Sequence, residues 1–176
     1  MPTPSMQPCQ PSDLQDLRRI SLETFTAAFA AQNDPADFQA YLRKAFAPGQ
    51  LRLEMEDPGS RFYFLVLEGE RAGYTKLNTG AAQTEPQDPK ALEVERFYIR
   101  EPFQGRGLGS WMLVYIKALA TGEGRPYLWL GVWEENTPAI RFYRRHGFVT
   151  FGKHPYYIGS DRQMDWMMRL ELEAGA

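Results

Sequence analysis

The sequence predicts an α/β protein built on one central mixed β-sheet (an α+β mixed sheet) of about six to seven strands, flanked by about four helices. Three features carry that expectation. Runs rich in branched and aromatic residues alternate along the chain with stretches at helical spacing. Arg61 to Leu67 and Arg71 to Leu77 are two such runs, joined by Glu68-Gly69-Glu70 in a hairpin pattern. Ala91 to Ile99, a glycine-rich loop, a helical stripe and the apolar run Tyr127 to Val132 follow in order, as a strand-helix-strand unit expected to be parallel and right-handed.

The elements can be justified in turn. Ser12 or Asp13 is a good cap for a first helix carrying Leu14, Leu17, Ile20, Leu22 and Phe25. Asp34-Pro35 opens a second, with Phe38, Tyr41, Leu42 and Ala45 on one stripe. Gln50 to Glu56 is a short third helix. After the hairpin, Asn78 to Lys90 reads as a loop between strands, rich in Gly, Pro, Gln and Asp. In the strand Ala91 to Ile99, Leu92 and Val94 share one parity, but Phe97 and Ile99 have the other. One extra residue near Glu95-Arg96, a β-bulge, would restore a common face. Leu108, Trp111, Met112, Tyr115, Ile116 and Leu119 recur at helical spacing until Gly122 and Gly124. Tyr127 to Val132 has the continuous apolarity of a strand covered on both faces. Asn136 or Thr137 caps a further helix, with Pro138 in its first turn, Ala139, Phe142 and Tyr143 on one face, and Gly147 at its end. Phe148 to Gly152 and Asp165 to Leu170 close the sheet.

Composition sets limits. The 176 residues, 43% hydrophobic, suit one domain over 1–176. A net charge of -2 provides no basic stripe for nucleic acid. Cys9 is the sole cysteine, so no internal disulfide is expected, and it reads as a small buried hydrophobe. No leader-like apolar segment stands at the N-terminus and no run of 18 apolar residues occurs, so the expectation is a cytoplasmic protein without membrane contact. His146 and His154 are too few and too scattered for a metal site.

The glycine loop carries the chemistry. Gly105, Gly107 and Gly109 lie between a strand and a helix, where glycine lets backbone N–H groups approach an anion at the positive end of the helix. Arg106 can add charge and Ser110 a hydroxyl. The P-loop pattern is absent, and the Gly-x-Gly-x-Gly spacing is not that of dinucleotide folds. On its own, such a loop could also be a structural turn. However, Gln104-Gly105-Arg106-Gly107-Leu108-Gly109 resembles the Gln/Arg-x-x-Gly-x-Gly/Ala motif of the GNAT acetyltransferases. Asn136-Thr137-Pro138-Ala139-Ile140-Arg141-Phe142-Tyr143, continuing to Gly147-Phe148, resembles a second signature of that superfamily. The likeness spans nearly the whole chain. One departure is Glu101 where many members have proline, with Pro102 following.

What the resemblance implies is the GNAT fold and an acetyl-CoA-dependent N-acetyltransferase that transfers acetyl directly to a primary amine, without a metal. Acetyl-CoA would lie between strands ending near Ile99 and Val132. Phe97, Tyr98 and Ile99 would pair with its pantetheine arm, and Gln104, Gly105, Arg106, Gly107, Leu108, Gly109 and Ser110 would hold the pyrophosphate. Asn136, Ala139, Phe142 and Arg145 would border the rest. Tyr143 resembles the superfamily's general acid; as a bare residue it also reads as a helix-face core tyrosine. Glu95 sits where several members carry a catalytic base; as a bare residue it also reads as a paired strand carboxylate, and a water relay could replace it.

Within the superfamily the chain resembles the PaiA-type polyamine acetyltransferases. The carriers are Lys44-Ala45-Phe46, Phe62-Tyr63-Phe64, Gly73 to Asn78, Leu130 to Asn136, and the tail from Gly152-Lys153-His154 through Gly159 to Asp165, in which Met164 and Ser160 depart from the group's pattern. That implies spermidine or spermine as acceptor, with Glu134, Glu135 and Asp161 attracting the cation, and a homodimer as the assembly. Another small-molecule, peptide or protein amine, and a non-catalytic CoA-binding module, are the alternatives.

Overall fold

The computed structural model describes residues 1–85 and 87–173. In chain order these form β1 (Ser5–Pro8), α1 (Leu14–Phe29), α2 (Pro35–Ala45), α3 (Pro48–Glu56), β2 (Ser60–Leu67), β3 (Glu70–Thr79), β4 (Leu92–Ile99), α4 (Leu108–Gly122), β5 (Tyr127–Trp133), α5 (Thr137–Arg145), β6 (Val149–Ile158) and β7 (Asp161–Glu171). The strands make one seven-stranded sheet in the order β1-β2-β3-β4-β5-β7-β6. The β4–β5 pair is parallel, and its neighbours are antiparallel. That is the mixed sheet and the parallel strand-helix-strand unit expected.

Two caps fall where the sequence places them, whereas Asp13, at the N-cap position of α1, makes no capping hydrogen bond and accepts instead from Gln10 N at 2.7 Å. Asp34 accepts from the N–H groups of Ala36 and Asp37 at 3.0 Å, opening α2. Asn136, rather than Thr137, caps α5 and accepts from Ala139 N at 3.3 Å. Glu68 and Gly69 both take positive φ, 52° and 80°, as a two-residue hairpin requires.

Strand limits differ more. β1, of sequence Ser-Met-Gln-Pro, has no alternating pattern to mark it. β6 and β7 form a long hairpin extending well past the expected Phe148–Gly152 and Asp165–Leu170, because their distal halves carry polar and proline residues that still pair, from Ile158↔Asp161 onward. The loop expected over Asn78 to Lys90 begins two residues later. It is tied down by Gln83, which accepts from Trp129 Nε1 at 2.7 Å, and by Thr84, which donates its N–H to Glu93 at 2.8 Å. Pro86 and residues 174–176 lie outside the described residues.

The sheet separates two apolar layers. On one face Leu65, Leu77, Leu92, Leu128 and Leu130 pack on Met112, Leu113 and Ile116 of α4 and on Ile140 and Tyr143 of α5. On the other, Phe62, Phe64 and Tyr74 pack on Leu17 and Ile20 of α1. An aromatic cluster of Phe25, Phe38 and Phe46 joins α1 to α2 and reaches Tyr98 and Tyr156. Among the described residues, no helix is long and apolar enough to cross a membrane.

Leu92 is fully buried at one of the two positions where β4 meets β5. Leu92→Ala should therefore cost about 2–5 kcal/mol in urea unfolding, the usual range for an unfilled core cavity.

Candidate active site

β4 and β5 share only two register pairs, Leu92↔Leu128 and Glu93↔Trp129. Beyond them the strands part. The cause is visible on the β3 side, where Lys76 pairs with Arg96 but Leu77 pairs with Val94, so Glu95 is the inserted residue of a bulge. The parity switch in the sequence thus has the expected origin. Phe97 and Ile99 return to the face of α4 and α5. On the opposite face Glu95 pairs with Lys76 and Arg96 with Glu54, and Lys76 and Glu54 pair with each other.

A cavity of about 920 Å³ occupies the gap and is lined from both faces of the sheet. One end is walled by Gln104, Gly105 and Gly109 from the glycine loop and by Ala139, Phe142, Tyr143 and Arg145 from α5. The other is walled by Phe25 and Phe29 of α1 together with Glu95, Tyr98, Tyr156 and Asp165. Phe97 and Asn136 also line it.

At the first end, Gly105 and Gly107 both hold φ near 75°, a backbone state that side chains disfavour, and Gly107 is the N-cap of α4. The first turn of α4 leaves N–H groups without intrahelical partners at its positive end. Gln104 Nε2 donates to Ile99 O at 2.9 Å, fastening the loop to the end of β4. A side chain at Gly109 would meet the Phe142 ring at 3.5 Å. This end can hold a pyrophosphate.

Not every sequence candidate lies on the cavity wall. Leu108 is buried in the core between α4 and the sheet. Ser110 Oγ is 3.1 Å from His146 Nε2, and the Arg106 guanidinium lies over the Phe103 ring at 5.5 Å. With Gly107, these residues are absent from the cavity lining, so any contact from them is through the loop's outer surface. Tyr98 lines the cavity from the α1 side and stacks on Tyr74 at 5.8 Å. Glu134, Glu135 and Asp161 do not line it: Glu134 pairs with Lys153 at 3.5 Å, and Asp161 accepts from Gln163 at 3.0 Å.

Among the ionisable groups on the cavity wall, Tyr143, Glu95 and Asp165 matter most for the chemistry. Burial raises the Tyr143 phenol above its ordinary value, which keeps it protonated. Its ring packs on Phe97 at 6.1 Å and Phe148 at 5.6 Å. Glu95 is the opposite case. Burial raises its pKa, but the Arg96 and Lys76 charges and hydrogen bonds from Lys76 and Asn78 more than offset this, and the carboxyl is held below the usual value. Its Oε2 lies 2.5 Å from Lys76 Nζ and accepts from Asn78 Nδ2 at 2.8 Å. The same Asn78 amide donates to Glu93 at 2.9 Å, so one side chain bridges the carboxylates of Glu93 and of the bulge residue Glu95. The third group, Asp165, has no role in the sequence reading beyond a tail motif. Burial pushes its carboxyl up to about 6, with Glu134 adding to the rise and His154 opposing it. Register brings it there: it stands opposite Trp133 at the end of β5 and opposite His154 on β6.

Residues 14–148 match the model of the acetyltransferase (GNAT) family. The chain is 41% identical over 160 residues to an uncharacterized N-acetyltransferase in the pepI 3' region of Lactobacillus delbrueckii subsp. lactis, covering 91% of this chain and 92% of that one. It is 32% identical over 104 residues to the spermine/spermidine N(1)-acetyltransferase of Bacillus subtilis (strain 168), covering 56% of this chain and 68% of that one. The fold is similar to the crystal structure of PaiA N-acetyltransferase from Thermoplasma acidophilum in complex with coenzyme A, with a TM-score of 0.76 at 16% identity over 96% of this chain and 99% of that one.

A raised aspartate destabilises the fold once it ionises. The folded state binds the proton more tightly than the unfolded chain, so the stability it contributes is full at low pH and is lost as pH rises through about 6. Asp165→Asn should raise the thermal midpoint at pH 8 by an amount corresponding to about 1–3 kcal/mol, and change it little at pH 4.

Proposed function

The chain belongs to the acetyltransferase (GNAT) family, and from that premise we propose that it carries acetyl from acetyl-CoA directly to a primary amine of a polyamine such as spermidine or spermine. N-acetyltransfer and the use of acetyl-CoA follow from the family; the acceptor and the residue roles are the proposal. The observation that carries it is the gap between β4 and β5, with a pyrophosphate cradle at one end and carboxylates facing aromatic rings at the other.

Acetyl-CoA supplies an activated acetyl carbonyl on a thiolate leaving group. The chain's own residues do the rest. Gly105, Gly107 and the first turn of α4 turn N–H groups and the helix's positive end toward phosphate oxygens. The free edge of β4 over Phe97 to Ile99 offers backbone groups to an extended amide chain, as an added strand would. Tyr143, kept neutral by burial, holds the proton that the departing sulfur needs. Glu95, kept ionised by Lys76 and Arg96, places a fixed negative charge on the acceptor side. A cationic amine suits that charge, and ring faces of Phe25, Phe29 and Tyr156 line its surroundings.

Support for a polyamine comes from the cavity's carboxylates and from the Bacillus subtilis relative, whose match covers little more than half of this chain. A panel of spermidine, spermine, monoamines and peptide amines with acetyl-CoA, read by thiol release, tests it. Spermidine and spermine should be the preferred acceptors, with KM rising with salt as screening grows; preference for an uncharged-tail amine with no salt effect rules the polyamine out. Tyr143→Phe should lower kcat about 10²- to 10⁴-fold with acetyl-CoA affinity intact. An unchanged kcat across pH would remove Tyr143 from the chemistry.

A further inference from the structure

We propose that Asp165, on β7, is the catalytic group that takes the proton from the acceptor's ammonium, while Glu95 binds that ammonium as a fixed charge. The inference rests on the amine-acetylation reading above and deepens it.

The two carboxylates are both on the wall of the cavity, but their oxygens are differently committed. Glu95 Oε2 is shared by Lys76 and Asn78, and Lys76 also pairs with Glu54 at 3.1 Å. Protonating Glu95 would break an ion pair whose lysine side chain is only 7% exposed, leaving a buried cation short of a partner. Asp165 has no hydrogen bond or ion pair among the described residues. Accepting a proton there breaks nothing and removes the cost of a half-buried charge.

The backbone gives an amine room to reach it. Gly131 on β5 leaves the strand bare beside the carboxylate. A methyl group added there would stand 3.4 Å from Asp165 Oδ2 and 3.1 Å from His154 Nε2. The groups facing Asp165 are His154 from β6, Glu134 beyond β5 with its partner Lys153, and Tyr156 from β6. Glu85 stands behind His154, 3.2 Å from Nδ1, and Glu95 lines the same cavity from β4. This surrounding is mostly acidic, so an approaching ammonium is attracted, and the neutral amine it leaves is released to react. Burial shifts Asp165 upward and the cations shift Glu95 downward, the separation that assigns one carboxylate to proton exchange and the other to charge.

The step balances. Asp165 takes one proton from the ammonium and passes it to solvent. The freed nitrogen lone pair forms the C–N bond to the acetyl carbonyl as the C–S bond breaks. The sulfur leaves with the proton of Tyr143, and the second nitrogen proton restores Tyr143. The products are the amide, the free thiol and one proton in solution.

The test is the pH dependence of thiol release from acetyl-CoA between pH 5 and 9, with spermidine and with 1-butylamine as probes. The profile is read on whichever amine is acetylated, so loss of the polyamine reading leaves this test intact. Wild type should show an acidic limb near pH 6. Asp165→Asn should lower kcat about 10²- to 10⁴-fold and abolish that limb, with acetyl-CoA binding by calorimetry unchanged. Asp165→Glu should keep the limb. His154→Gln, which removes the charge opposing the rise, should move it to higher pH. Glu95→Gln should raise the amine KM and keep the limb. A wild-type limb retained in Asp165→Asn, or a limb lost in Glu95→Gln, overturns the assignment.

Discussion

The early separation of β4 from β5 is the constraint on which the rest of the structure depends. A parallel pair joined at two positions leaves strand edges whose backbone N–H and C=O groups need other partners. The device that separates them is the one inserted residue, Glu95. It lets Leu92 and Val94 keep their place on the α4 layer before the bulge and lets Phe97 and Ile99 regain it afterwards. The price is two successive polar residues, Glu95 and Arg96, turned to the buried face. The Glu54, Lys76 and Asn78 side chains meet them there, so the bulge is held by charge pairing and hydrogen bonds that an apolar strand could not supply.

The two helices that flank the gap serve it in different ways. α4 starts at the gap, and its N-terminus presents positive partial charge and the positive-φ turns at Gly105 and Gly107. α5 brings its side chains instead, with Phe142 closing over Gly109 and Tyr143 packed on Phe97. Both helices bury their other faces in the same layer of leucines, so the spacing between the phosphate cradle and the Tyr143 hydroxyl is fixed by core packing rather than by loops.

Local signals made much of this legible in the sequence. The caps at Asp34 and Asn136, the Glu68-Gly69 turn and the parity switch at Glu95 each act over a few residues, and each appears where it was expected. The elements that escaped are those whose identity is set by partners far along the chain. Residues 5–8 become a strand only because β2 supplies an edge, and Pro155 sits inside β6 because the β7 pairing continues around it. The same holds at the site. Glu134, Glu135 and Asp161 are acidic residues close in sequence to the motifs that do not line the cavity, although Glu134 acts on Asp165, whereas Asp165 lines it through a register that no local pattern encodes. Ser110 and Leu108 lie within the loop motif yet face His146 and the core, because a helix turns successive side chains by about 100° and only some can face the gap.

Burial alone does not decide what a carboxylate can do here. Glu93, Glu95 and Asp165 are all withdrawn from water, and burial pushes each toward the neutral form. What separates them is the chemistry of their neighbours. Glu93 faces neutral donors, the Thr84 and Asn78 groups, and serves the loop as an anchor. Glu95 faces cations and stays charged. Asp165 faces a bare glycine and open cavity, and His154 only partly offsets its desolvation. A fold selected only for stability would pair or replace such a group. A carboxylate only partly compensated keeps the tendency to take up a proton that Glu95, held by cations, has lost.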